Sequence, residues 1–267
     1  MELSTIIGLG AAVAAVILTV IVEGGSFLSL INPGALILIL GGSMAVGIIS
    51  YGLKEFLLIP KYILQAIFPK NVDLGDLVLT FVSYSEKARR EGLLSLEEDL
   101  KDIKDDVTRL GLQLVIDGTD PEIVRNIMEN LSNSIEEDEK VSANFFETIG
   151  GFSPTLGIIG TVMGLVHVLE TLGSGTGMEA LGQGIAVAFI ATFYGISFAN
   201  LFWLPMANKL RHINKTYQER REMIKYGILA IQNGDNPRIV KEKLICLISD
   251  PSLRATIYSA AETEGTM

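Results

Sequence analysis

Four long apolar runs alternate with charged, helically patterned stretches along this chain. The first runs from Leu3 to Val22 and is broken by Glu23-Gly24-Gly25-Ser26. The second runs from Phe27 to about Tyr51. Asn32-Pro33-Gly34 near its start is a turn or helix-start signal, so its firm helical body begins near Pro33. The third and fourth lie between Phe152 and Leu204, joined by a short glycine-rich gap. Each run is long enough to cross a hydrocarbon core as a helix. Met1 and Glu2 offer no positively charged leader and no cleavage site follows, so the first run reads as a retained span.

Between the runs the apolar residues return at helical spacing. The segment KEFLLIPKYILQAIF, 54–68, mixes Lys54, Glu55, Lys61 and Gln65 with bulky apolar residues. It reads as an amphipathic helix on the membrane surface, bent at Pro60; the alternative is a core helix of the soluble part. From Asn71 to about Lys140 the pattern is helical with charged faces. Thr119 or Asp120 caps a helix whose first residue is Pro121. That helix runs through the acidic stretch Glu136 to Glu139 and on into the third span. After the fourth span, Lys209 to Leu229 is helical, and Asn233-Gly234-Asp235-Asn236-Pro237 ends one helix and caps another. From Ser259 onward the chain is small and acidic and reads as unstructured. No stretch alternates as a strand does. The expected fold is all-α: a polytopic membrane protein with four transmembrane helices and a helical cytoplasmic domain. The expected division is 1–51 for spans one and two, 52–70 for the interfacial helix and 71–145 for the cytoplasmic domain. Spans three and four then take 146–205, and charged C-terminal helices with an acidic tail take 206–267.

Composition agrees with such a mixture, since 49% of the 267 residues are hydrophobic while 19% are charged. The formal charge of -10 argues against nucleic acid as a partner. The single Cys246 forms no internal disulfide, and no Cys/His cluster has metal-ligand spacing. No nucleophile elbow or phosphate loop is present, so an enzyme is a poor reading and no cofactor is expected. All 21 Lys and Arg fall in two blocks, Lys54 to Lys140 and Lys209 to Arg254. Positive charge favours the cytoplasmic side. Both termini and both large polar segments are therefore expected in the cytoplasm.

The third and fourth spans carry the candidate chemistry. Gly157, Gly160 and Gly164 lie within roughly 60° of one another on a helix, with Thr161 beside them. Gly184, Ala188, Ala191, Gly195 and Ala199 form a similar stripe, bordered by Thr192. Small stripes let helix backbones approach closely. Plain packing of these two helices on each other is one reading; a face for a partner helix, on Gly157, Gly160, Gly164, Ala188 and Gly195, is the other. The threonines either bond their own backbone or border an ion path. No Asp or Glu stands in the middle of any span. An ion path needs a titratable group at depth, so a partner helix would have to supply it. His167 reads first as a group hydrogen-bonding near the helix end with Glu170; the alternative is a place in a proton path. Pro154 and Pro205, at the cytoplasmic ends of these spans, read either as boundary markers or as a pair of hinges.

At this point the residues resemble a known family. GGSMAVGIIS, KARREGLLSLEEDL, LVIDGTDPEIVR, PTLGIIGTVMGLVHVL, GIAVAFIATFYGISFANLFWLP and GILAIQNGDNPRIV are together similar to the stator and energiser subunits MotA, PomA, ExbB and TolQ. The resemblance covers almost the whole chain and is strongest to the flagellar stator branch. It implies a pentameric ring around a dimer of MotB-like single-span subunits that bring the missing aspartate. It implies that ion flow turns the ring against the rotor protein FliG, in the bacterial inner membrane. The family's rotor-contacting Arg and Glu match Arg89 and Glu97, with Arg90 as a helper. The family prolines match Pro154 and Pro205, and Thr192 matches the threonine on the ion path. Sodium-driven relatives carry a Thr at the position of Thr161 and two adjacent Thr in span four. Here that pair is Ala191-Thr192, and His167 is similar to the proton-driven form, so protons are the expected ion and sodium the alternative. Two rival functions stay open: an energiser of a periplasmic protein, and a non-conducting membrane scaffold.

Overall fold

The structure, a computed structural model, describes residues 3–173 and 178–264. All regular structure among the described residues is helical. In chain order they are α1 (Leu3–Val22), α2 (Pro33–Leu36), α3 (Gly42–Tyr51), α4 (Leu53–Leu57), α5 (Ile59–Ile67) and α6 (Leu74–Glu91). Then come α7 (Asp106–Ile116), α8 (Pro121–Gly173), α9 (Met178–Phe198), α10 (Leu204–Gln232), α11 (Pro237–Ile245) and α12 (Pro251–Glu264). Two π-turns, Ile37–Gly41 and Ala199–Trp203, join α2 to α3 and α9 to α10 without a break. Among the described residues, four helices are long and apolar enough to cross a membrane. The glycine-rich gap between the third and fourth spans lies largely outside the described residues.

The chain divides into two compact units, Met1–Lys70 with Lys140–Ile213 and Asn71–Glu139 with Asn214–Met267. The boundaries expected at 145 and 205 fall instead within the first unit. Packing explains the shift: Phe145, Phe146 and Ile149 of α8 meet Trp203, Met206 and Leu210 in one buried cluster. Phe146 stacks on Trp203 with ring centroids 6.1 Å apart. Gly47 of α3 admits Phe145, whose ring would stand 2.7 Å from a Cβ at that position. The amphipathic helix is split, α4 ending and α5 starting around Leu58, with Pro60 in the first turn of α5. Tyr62 and Ala66 of α5 are buried in this same cluster, so its apolar face belongs to the membrane unit rather than to a soluble core.

The second unit packs α6, α7, α11 and the outer parts of α8 and α10 around Phe81, Leu96, Leu112, Met128 and Ile228. Its helices start on side-chain caps: Asp73 accepts from the Asp76 N–H, Asp105 from Thr108, Asp120 from Glu122 and Asn236 from Arg238. Gly92, at φ +87°, turns the chain out of α6 into the short 3-10 turn Leu93–Glu97. The acidic run on α8 is tied to α10. Glu139 holds Arg221 with two bonds of 2.8 Å, Glu129 holds Lys225 at 3.3 Å, and Glu136 accepts from Gln218. The tail differs from expectation: α12 extends past Ser259, because Asp250 caps it through the Ser252 N–H and Ile257 is buried on its inner face.

Candidate functional site

The third and fourth spans touch backbone to backbone. A Cβ at Gly157 would stand 3.0 Å from both the Ala191 carbonyl oxygen and the Thr192 Cα. One at Gly195 would stand 2.6 Å from the Ser153 carbonyl oxygen and 3.1 Å from the Gly157 Cα. Gly164 meets the Ala188 Cβ at 2.6 Å, and Gly160 meets the Ala191 Cβ at 2.6 Å and Leu38 at 2.9 Å. All five residues assigned in sequence to a partner helix, Gly157, Gly160, Gly164, Ala188 and Gly195, are therefore filled by contacts within this chain. The two stripes face each other and pack on each other, while Gly160 and Gly164 stay partly exposed.

That close approach brings two hydroxyls together. Thr161 and Thr192 hydrogen-bond to each other through their Oγ1 atoms. Thr161 also reaches its own Gly157 carbonyl at 3.1 Å and the Ala188 carbonyl at 3.2 Å. Thr192 reaches the Gly157 carbonyl at 3.3 Å. The contacts cross over, because Gly157 is four residues before Thr161 and Ala188 is four before Thr192. Each threonine can thus bond the carbonyl below the other. Two hydroxyls own only two protons, so one can donate to its neighbour while the other donates to a carbonyl. Several donor arrangements share these oxygens, and hydroxyl rotation interconverts them.

Ala191 is buried beside Ala35 and Ile190 and adds no side-chain oxygen. Pro154 is half-buried inside the unbroken α8. Next to it Ser153 shares a 3.0 Å hydrogen bond with Ser43, both fully buried, which ties α8 to α3. Pro205 is exposed and sits two residues past the π-turn. A proline lacks the N–H that would serve the carbonyl four residues back, so the ladder reorganises there. His167 and Glu170 are both exposed, with Nδ1 and Oε2 3.9 Å apart.

On the second unit Arg89 and Glu97 are exposed, on either side of the Gly92 turn. Among the described residues neither has an ion pair or side-chain hydrogen bond, whereas Arg90 pairs with Glu86 at 3.4 Å, one helical turn back. Leu94, between them, is 70% exposed. Sequence reasoning missed Tyr194. Its hydroxyl accepts from the Asn32 N–H at 3.3 Å and donates to the Leu30 carbonyl, which secures the start of span two against span four. The largely apolar segment FIATFYG hides this, since the partner groups are backbone atoms more than 160 residues away. The Ser43–Ser153 pair had a weaker signal, a small polar residue inside each of two apolar spans.

Comparison with known proteins agrees with this architecture. Residues 99–223 match the MotA/TolQ/ExbB proton channel family. Motility protein A of Bacillus subtilis is 32% identical over 92% of this chain and 90% of its own length. A solved structure of C. jejuni MotAB superposes with a TM-score of 0.87 at 28% identity, over 94% of this chain and 98% of that one. The flagellar MotAB stator complex from Bacillus subtilis gives 0.86 at 30% identity, over 95% and 98%. With four membrane-crossing helices, a helical second unit and likeness along nearly its whole length, the chain belongs to the MotA/TolQ/ExbB proton channel family.

Proposed function

We propose that this protein is the ion-channel and torque-generating subunit of a flagellar stator in the bacterial inner membrane, working with a MotB-like partner. The observation that carries this reading is the Thr161–Thr192 hydroxyl pair in a membrane seam without an acid of its own. Between Glu147 and Glu170, and between Glu179 and Lys209, no Asp, Glu, Lys or Arg occurs. A partner helix therefore supplies the carboxyl group that loads and releases the ion. Likeness to solved MotAB complexes over almost the full chain supports that partner.

The ion is a proton in this reading. Sodium needs several oxygens in place of its hydration shell, and Ala191 provides none where a second hydroxyl would help. A proton needs only a relay, and two rotatable hydroxyls passing one hydrogen bond between them make one. The copies form a pentameric ring about a partner dimer, with both termini and the second unit in the cytoplasm, as the two blocks of Lys and Arg favour. Arg89 and Glu97, exposed and unpaired, meet charged groups of FliG, with Arg90 as a helper.

The test is the swimming speed of cells powered only by this protein and its partner, with sodium varied at fixed pH and a protonophore then added. Speed independent of sodium and abolished by the protonophore is expected; speed that tracks sodium overturns the choice of ion. Thr192→Val should assemble normally and lose most ion-driven torque. Full torque in that variant removes Thr192 from the path and leaves it a packing group.

A further inference from the structure

A cleft of about 370 Å³ opens in the membrane unit, away from the threonine seam. One wall is α1, through Ser4, Thr5, Gly8 and Ala12. These positions recur on one helical face. The other wall is the end of span four, through Asn200, Pro205 and Lys209. A Cβ built on Gly8 meets nothing within 4 Å, so the cleft is open where two packed helices would ordinarily touch.

The cleft has an end with a cation and hydroxyls and a deeper end without charge. Spans one and four run in opposite directions across the membrane, because the chain crosses four times. Ser4, Thr5 and Lys209 therefore share one end, while Ala12 and Asn200 lie deeper. From Lys209 to Asn200 the helix rises by about 13 Å, the reach from a headgroup into the acyl region. Lys209 is the first cation after an interval without Lys or Arg that begins at Lys140. Leu9 and Met206 line the space between the ends.

We propose that this cleft binds one anionic phospholipid, its phosphate held by Lys209 and the Ser4 and Thr5 hydroxyls, its acyl chain laid along Gly8, Leu9 and Ala12. A free phosphate would satisfy only the polar end and leave the apolar wall uncovered. The lipid rests against Pro205, so it fills the space into which the end of span four would otherwise collapse. The site rests on the orientation given above, which puts Ser4 and Lys209 in the cytoplasmic leaflet.

The assembled complex with its partner is placed in nanodiscs of equal parts phosphatidylglycerol and phosphatidylcholine, purified, and its retained lipid measured by native mass spectrometry. The wild-type complex should hold phosphatidylglycerol over phosphatidylcholine by about fivefold, the preference one lysine gives at an anionic surface. Lys209→Gln should keep a bound lipid and lose the preference. Gly8→Leu, whose Cβ enters open space, should lose the lipid altogether, and Ala12→Leu is a second filled cleft should Gly8→Leu fail to assemble. Equal retention of both lipids by wild type, no retained lipid, or unchanged retention in the filled variants overturns the site. The readout does not depend on motility, so a complex that holds the lipid but turns no rotor overturns the motor reading alone.

Discussion

At the scale of single residues, the glycines of the seam divide into those that are needed and those that are not. Gly157 faces backbone atoms at 3.0 Å, and backbone cannot rotate aside as a side chain can. Gly157→Ala should lower the stability of the solubilised complex by about 1–3 kcal/mol. Gly151, one and a half turns earlier on the same helix, has nothing within 4 Å. Gly151→Ala should be neutral, or stabilising by up to about 1 kcal/mol through helix propensity. Thermal unfolding of the two variants side by side checks both; equal losses would mean that the seam is less tight than the distances say. The stripes themselves were legible, since small residues at helical spacing show in the sequence. Their use was not, because the same stripe serves a neighbour in the chain or a helix from another chain. Only the register of α8 against α9, which fixes Thr161 opposite Thr192, decides between them.

At the scale of elements, the helices of the second unit are fixed by charge as well as by burial. The Arg221 and Glu139 side chains are only 6% and 18% exposed. Glu139→Gln leaves a buried guanidinium without its carboxylate and should cost about 3–5 kcal/mol. Replacing both by methionine should cost far less, and a double variant as damaged as the single one would contradict the pairing. Asp105 gives a pH signature. Burial alone would raise its carboxyl, but the Thr108 hydroxyl, the Arg220 guanidinium and the Thr108 N–H outweigh it and hold the group below the usual carboxylate range. A carboxyl lowered on folding stabilises the folded chain fully above its unfolded value, about 3.9, and that part is lost as pH falls through the folded value. Asp105→Asn keeps the cap and drops the charge, so its deficit in melting temperature should be largest near neutrality and shrink below about pH 4. A deficit that stays constant with pH would place the role of Asp105 in capping alone. Helix starts at Pro33, Pro121 and Pro237 were readable from proline and its preceding cap residue. The ion pairs were not, since the acidic run Glu136 to Glu139 looks like any solvated face until α10 supplies its partners.

At the scale of the whole molecule, the chain passes between its units at Glu139–Lys140 and Ile213–Asn214, and both points lie inside helices. The expected divisions at 145 and 205 followed the edge of the apolar composition. The aromatic cluster of Phe145, Phe146 and Trp203 carries the membrane unit beyond that edge. Arg89 and Glu97 are the charges through which the second unit is proposed to meet its rotor. The Arg89→Glu, Glu97→Lys double variant should assemble and fail to swim at normal speed; normal swimming would remove the contact. The seam between spans three and four also constrains the history such a sequence can have. A Cβ at Gly157 or Gly195 would press on the backbone of the facing span, at 3.0 Å and 2.6 Å, so a change at either is relieved only by moving one helix against the other, which no single further replacement supplies. The outer residues of α1, such as Ile7, Leu18 and Val22, are exposed and can be exchanged for any apolar residue one at a time. Sequences descending from this one should therefore drift freely along the outward face of the first span and stand still at two glycines, and a deep mutational scan would show that contrast directly.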